Sequence, residues 1–224
     1  PDWKTHTLRS VFGWVGVTLM FVAVAFIPLP DATAISFLNP VFGMLLAIPL
    51  LGERVGLWRW TAAGLALLGA LILLRPGPES FQWAGLLALG AAAFLGMELI
   101  FIKRLADKEP PLQILLINNA IGLAIASCAV ISVFAAPTGA QWAALAGVGL
   151  CMACAQACFI NAVGRADASF VTPFSYVTLI FAAIYDAAVF GQIPDGISWA
   201  GAGIIISGAA LLAWRETRAK QHSA

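Results

Sequence analysis

The stretch Trp60-Thr-Ala-Ala63-Gly64-Leu-Ala-Leu-Leu-Gly69-Ala70-Leu-Ile-Leu73 returns 139 residues later as Trp199-Ala-Gly-Ala202-Gly203-Ile-Ile-Ile-Ser-Gly208-Ala209-Ala-Leu-Leu212. Trp, Ala, Gly, Gly, Ala and Leu recur in register. Just upstream, Leu51-Gly52-Glu53 matches Phe190-Gly191-Gln192 at the same offset, and Asp31-Ala32-Thr33 matches Asp167-Ala168-Ser169 at an offset of 136. Both copies are apolar runs near the length that crosses a bilayer, so the repeated unit is a pair of membrane helices.

Composition supports that reading. The 224 residues are 61% hydrophobic and 10% charged, with a mean hydropathy of +0.93. An average soluble domain carries about 25% charge. So few charges cannot cover a soluble surface, which excludes an ordinary cytosolic enzyme and a disordered tail. A formal net charge of +1 without a basic patch excludes a nucleic-acid binder. Cys128, Cys151, Cys154 and Cys158 all fall in apolar runs. They read as small packing residues rather than metal ligands or disulfide partners.

Eight spans follow: Val11–Pro28, Ala32–Leu51, Leu57–Leu74, Gln82–Ile102, Leu112–Ala135, Gln141–Val163, Ala168–Phe190 and Ile197–Trp214. Helices are the expected form, because lipid leaves open backbone groups unsatisfied. The first run has a basic flank and an Ala23-Val24-Ala25 sequence like a cleavage site, but it reads as a retained span. With the N-terminus in the cytoplasm, eleven of the twelve Lys and Arg residues fall inside and Arg75 alone falls outside. Both termini are therefore expected in the cytoplasm of a cell with this protein in its inner membrane. Trp58, Trp60, Trp83, Trp142, Trp199 and Trp214 lie near span ends, as an aromatic belt requires.

Orientation then gives the repeat its meaning. The third span runs outward and the eighth runs inward, so the repeat has inverted topology, an arrangement found in many transporters. Equal inverted repeats need an odd number of helices each. Residues 78–224 would make a complete five-helix repeat with a short basic tail. Residues 1–77 would be the last three helices of the other repeat. The count predicts two further helices before Pro1, ten in all.

The residues also resemble a known family. Asp31 to Gly77, with Asn39-Pro40, Leu50-Leu51-Gly52-Glu53-Arg54 and the Gly64/Gly69 helix, is similar to the second half of an EamA domain, the repeated unit of the drug/metabolite transporter superfamily. Ala168 to Trp214, with Thr172-Pro173-Phe174-Ser175-Tyr176 and Gly191-Gln192-Ile193-Pro194-Asp195, resembles the same half of the second domain. Within the superfamily these motifs are similar to the branch of S-adenosylmethionine and riboflavin transporters, with Gln192 a departure where relatives often carry an acid. The resemblance implies an all-α polytopic protein of ten helices, a small-molecule substrate and no cofactor. It also brings in a homodimer, since members often form dimers.

Polar groups inside a membrane usually face a cavity or a partner. Glu98 is a candidate for a substrate cation or a proton; the plainer reading is a carboxylate paired with a nearby base. Asp186 is a second candidate for proton coupling, or a side chain snorkelling outward. Asn118 and Asn119 are adjacent, so at most one of the two is expected to face a cavity, and hydrogen bonding between helices is the plainer reading of both; Asn39 and Gln156 serve equally as substrate contacts or helix glue. Ser175 and Tyr176 follow Pro173, and Tyr176 offers a ring for stacking or simply packs. Trp14 is a further stacking candidate. Pro40, Pro49 and Pro173 are expected to interrupt the second span and its repeat mate, the seventh. Glu53 and Arg54 read as cap and topology signals. His6 and His222 fall outside every expected span, and no catalytic constellation is evident. A membrane transporter of a small polar or heteroaromatic metabolite is the reading that follows. A non-transporting helper subunit and a membrane-embedded enzyme are the alternatives.

Overall fold

The structure is a computed structural model that describes residues 1–78, 83–130, 136–191 and 195–222; the side chains of Ala129, Asp186, Phe190 and residues 216–222 lie outside the description. The described elements are helices: α1 (Trp3–Val24), α2 (Leu29–Ser36), α3 (Asn39–Leu51), α4 (Leu57–Leu74), α5 (Trp83–Ala106), α6 (Pro111–Val130), α7 (Gly139–Arg165), α8 (Ala168–Val171), a 3₁₀ turn (Thr172–Tyr176), α9 (Val177–Phe190) and α10 (Gly196–His222). They group into eight segments long and apolar enough to cross a membrane. The protein is therefore an all-α polytopic membrane fold, as its composition dictates.

Span boundaries moved where polar residues found partners inside the bundle. The first helix starts at Trp3 rather than Val11, with Asp2 capping it by accepting from the Thr5 amide at 3.2 Å. His6 and Arg9, expected outside the spans, are both 1% exposed within α1. They stay there because α5, α6 and the turn between them supply acceptors. Helix α10 continues past the expected Trp214 to His222, so much of the basic tail is helical.

Two spans are broken, at matching places. The second breaks at Phe37 and Leu38 between α2 and α3, with Pro40 in the first turn of α3. The seventh breaks at the 3₁₀ turn, whose first turn holds Pro173. Proline is tolerated at such a helix start because the amide it lacks would be unpaired there anyway. Pro49 does not interrupt its helix as expected: α3 runs through it and ends two residues later. Gly52 then closes α3 at φ 71°, and Gly191 takes φ 66° at the corresponding place after α9. Both are left-handed turns that favour glycine.

Helix α4 lies along α10, and α1 lies along α5. The α4–α10 contact is reciprocal at the 139-residue offset. A Cβ on Gly69 would sit 2.6 Å from the Gly201 carbonyl, and one on Gly208 would sit 2.9 Å from the Ala62 carbonyl. Such contacts replace the hydrophobic drive that lipid does not supply. Gly64 and Gly203, on the same two helices, face open space. The Tyr176 hydroxyl donates to the Phe37 carbonyl at 2.6 Å, and the two rings stack at 5.6 Å. This pair is also 139 residues apart.

Charged ties bind the bundle at the two ends of α4. Beyond its C-terminal end, Arg75 donates to Asp195, whose Oδ1 also accepts from the Ser198 amide at 2.9 Å. The Arg75 guanidinium foremost, with Ser198, holds the Asp195 carboxyl well below the ordinary carboxylate range. A depressed carboxylate stabilises the fold above its unfolded value, about 3.9, and that contribution disappears as pH falls through the folded value. Both partners are half exposed, so the contribution is small. An NMR titration of Asp195 in Arg75→Ala should move up toward about 3.9; an unmoved titration would remove Arg75 as the cause.

Candidate functional site

Four helices line a partly polar cavity. Its volume is about 770 Å³, within the roughly 300–1,000 Å³ of small-molecule sites. Helix α1 contributes Ser10, Gly13, Trp14 and Val17, a stripe at helical spacing. Helix α5 contributes Glu98, α6 contributes Asn118, Asn119 and Gly122, and α7 contributes Met152 and Gln156. Trp14, Glu98, Asn118 and Gln156 thus come together from four separate helices. Both asparagines line the cavity, where at most one was expected: Asn119 turns its amide back to the Leu115 carbonyl at 2.8 Å, and Asn118 accepts from Ser10 at 3.2 Å. The Gln156 Oε1 is buried without a hydrogen-bond partner, an acceptor left open for a donor that enters.

Glu98 stands between this chamber and a smaller one of about 120 Å³, lined in part by Asn39, Thr172 and Ser175. The smaller chamber reaches both broken spans. The Ser175 hydroxyl donates to the Thr172 carbonyl at 2.8 Å, which satisfies an acceptor that the broken helix frees. Tyr176 lines neither chamber. It is fully buried in a cluster with Ala66, Ala70, Leu179 and Ile205, with its hydroxyl taken by Phe37. That is the packing reading of the residue. The side chain of Asp186 lies outside the described residues.

Arg9, His6 and Glu109 carry features the sequence reading missed. Arg9 Nε is 3.8 Å from Glu98 Oε1, with the Arg9 side chain 2% exposed, and an Arg9 guanidinium nitrogen donates to the Ile114 carbonyl at 3.3 Å. His6 Nε2 is 2.8 Å from Glu109 Oε2, and the Asp2 amide donates to the other Glu109 oxygen at 2.6 Å. A basic residue early in an apolar run reads as a topology signal. Its four-residue spacing to Gly13, which places both on one face of α1, was the available clue.

The cysteines do not pack inward as expected: all four are free and exposed on α6 and α7. Among the described residues no cluster of His, Cys, Asp or Glu is arranged to hold a metal ion.

Eight membrane-capable helices, four of them lining a solute-sized, partly polar chamber, define a multi-pass membrane protein with room for a small molecule. The EamA-like transporter family matches residues 1–75 and 82–214, and the chain belongs to it. It is 32% identical to a riboflavin transporter of Vibrio cholerae over 95% of this chain and 72% of that protein. It is 34% identical to a riboflavin transporter of Rhizobium johnstonii over 99% of this chain and 74% of that one. An S-adenosylmethionine uptake transporter of Rickettsia felis is 28% identical over 96% of this chain and 73% of its own length. A crystal structure at 22% identity superposes with a TM-score of 0.81, covering 95% of this chain and 76% of the other, and shares the fold. The chain is thus a membrane transporter by family, with relatives named as transporters.

Proposed function

We propose that the chain moves a small polar or heteroaromatic metabolite across the inner membrane by alternating access, with the α1–α5–α6–α7 chamber as its site. The observation that carries this is the convergence of an aromatic ring, a carboxylate and unsatisfied amide chemistry in one cavity. Trp14 is placed to stack on a ring. Asn118, Gln156 and Glu98 are placed to hydrogen-bond its polar edge. The riboflavin and S-adenosylmethionine named for the relatives are both heteroaromatic solutes of that kind. Asn39 and Ser175 serve the smaller chamber, where a substituent of the solute would reach. In this reading residues 1–77 and 78–224 are the units that rock, hinged at the breaks marked by Pro40 and Pro173. Both termini lie in the cytoplasm, and a homodimer is the working assembly.

The test is uptake of labelled riboflavin and S-adenosylmethionine into proteoliposomes, with and without a pH gradient. Trp14→Ala and Glu98→Gln should each lower uptake about tenfold or more, the scale of one lost stacking or charged contact. Tyr176→Phe should leave uptake intact and lower thermal stability, because its hydroxyl serves Phe37. Full uptake by the Trp14 and Glu98 variants would rule out this chamber. Dependence on the pH gradient that Glu98→Gln abolishes would add proton coupling at Glu98.

A further inference from the structure

We infer that Arg9 is a positioning residue that sets the charge preference of the chamber, making it select net-uncharged polar ring solutes over cations. The inference rests on the proposed transport function and deepens it by naming the substrate class of the same site.

The geometry is specific. Glu98 is the ionisable side chain among the described residues lining the large chamber, and it lines the smaller one too. Its carboxyl rests against α1 at Gly13, where a Cβ would come within 2.9 Å of the Glu98 carboxyl carbon. One turn earlier on the same face is Arg9, its Nε 3.8 Å from Glu98 Oε1 and without a hydrogen bond. The Ile114 carbonyl of α6 anchors the Arg9 head, so the side chain does not snorkel to an interface. The next ionisable groups along α1 and the α5–α6 turn are already committed, His6 to Glu109. Arg9 and Glu98 therefore face each other across the chamber wall, the guanidinium buried behind it and the carboxylate part of the lining.

Charge logic follows from that placement. A buried guanidinium needs an opposite charge beside it, and the Glu98 carboxylate supplies it. A cation entering the chamber would have to displace Arg9 from Glu98 and leave the guanidinium unpaired. An uncharged ring solute stacks on Trp14 and hydrogen-bonds Asn118, Gln156 and Glu98 without separating Glu98 from Arg9. Specificity here comes from the cost imposed on the wrong charge rather than from an added contact to the right one.

The test uses the full chain in lipid nanodiscs and three probes: riboflavin as the neutral ring, riboflavin 5′-phosphate as the anion and S-adenosylmethionine as the cation. The wild type should bind riboflavin roughly tenfold tighter than either charged probe, a difference of about 1.4 kcal/mol. Glu98→Gln should move the preference to the phosphate, and Arg9→Gln should move it to the cation. Arg9→Lys should restore the wild-type order. An Arg9 that only pins α1 to α6 would change stability and leave the order of the probes unchanged, which overturns the inference. A wild-type preference for the cation also overturns it and leaves the transporter reading standing. If Arg9→Gln fails to fold, Glu98→Gln and Arg9→Lys decide: a shift to the phosphate in the first and a wild-type order in the second support the inference, and anything else sinks it. Absence of ring-solute binding in the folded wild type and all variants would overturn the proposed function and this inference together.

Discussion

Gly69→Leu should strongly destabilise the protein, while Gly64→Leu on the same helix should be nearly silent. The two glycines are alike in sequence and opposite in surroundings. A Cβ on Gly69 would meet the Gly201 carbonyl at 2.6 Å and the Ile205 amide at 2.9 Å. Those are backbone atoms of a neighbouring helix, so no rotamer change relieves the clash; α4 and α10 must separate. Overpacking of this kind costs about 3 kcal/mol or more. Nothing lies within 4 Å of a Cβ at Gly64. A leucine there would face the membrane and gain about 1 kcal/mol in helix propensity. Thermal unfolding in detergent, followed by size exclusion, should show a large loss for the first variant and none for the second. Equal behaviour would mean that the α4–α10 contact is not held by close backbone approach. Gly208→Leu should mirror Gly69→Leu, because its Cβ would meet the Ala62 carbonyl at 2.9 Å.

That contrast also shows how far sequence reaches. Apolar runs of membrane length need no tertiary information, so all eight spans were legible. The broken seventh span was legible too, because Pro173 must stand where an amide is dispensable. Which glycines pack is a question of helix rotation. From Ala62 to Leu74 every position of the third span is apolar, so no polar face reports that rotation, and Gly64 and Gly69 read alike. The same limit applies to the site. Trp14, Glu98, Asn118 and Gln156 stood out as polar or aromatic groups inside spans, and the fold brings them together. Tyr176 stood out for the same reason, yet its hydroxyl is used by Phe37, a partner far away in sequence. Arg9 was read as an orientation signal because its partners, Glu98 and Ile114, become visible only when α1 meets α5 and α6.

Glu53→Ala should be the second severe variant, because one carboxylate organises the start of the seventh span. Its Oε1 accepts from the Ala168 amide at 2.8 Å, and its Oε2 accepts from the Ser169 amide at 3.0 Å and the Ser169 hydroxyl at 2.5 Å. Arg59 completes the cluster by donating to the same hydroxyl at 2.7 Å and pairing with Asp167 at 2.8 Å. Helix α8 is four residues long, and Ala168 and Ser169 are fully buried. Its first amides have no internal acceptor, as at any helix start. Glu53 reaches them from the α3–α4 turn, so it acts as a cap supplied from another element. Removing it leaves buried donors unpaired. The expected loss is about 3 kcal/mol, the upper range for hydrogen bonds to a charged group. Glu53→Gln keeps one acceptor oxygen but turns an amine toward a donor, so it should recover about half of that loss at best. Hydrogen exchange at Ala168 and Ser169 should rise sharply in Glu53→Ala, together with a lower unfolding temperature. Protected amides and an unchanged unfolding temperature would show that water replaces the cap. Because α8 leads directly into the 3₁₀ break beside the smaller chamber, a loosened cap should also weaken solute binding without altering the order of charged and neutral solutes. That distinguishes a defect in the frame from one in the Arg9–Glu98 pair.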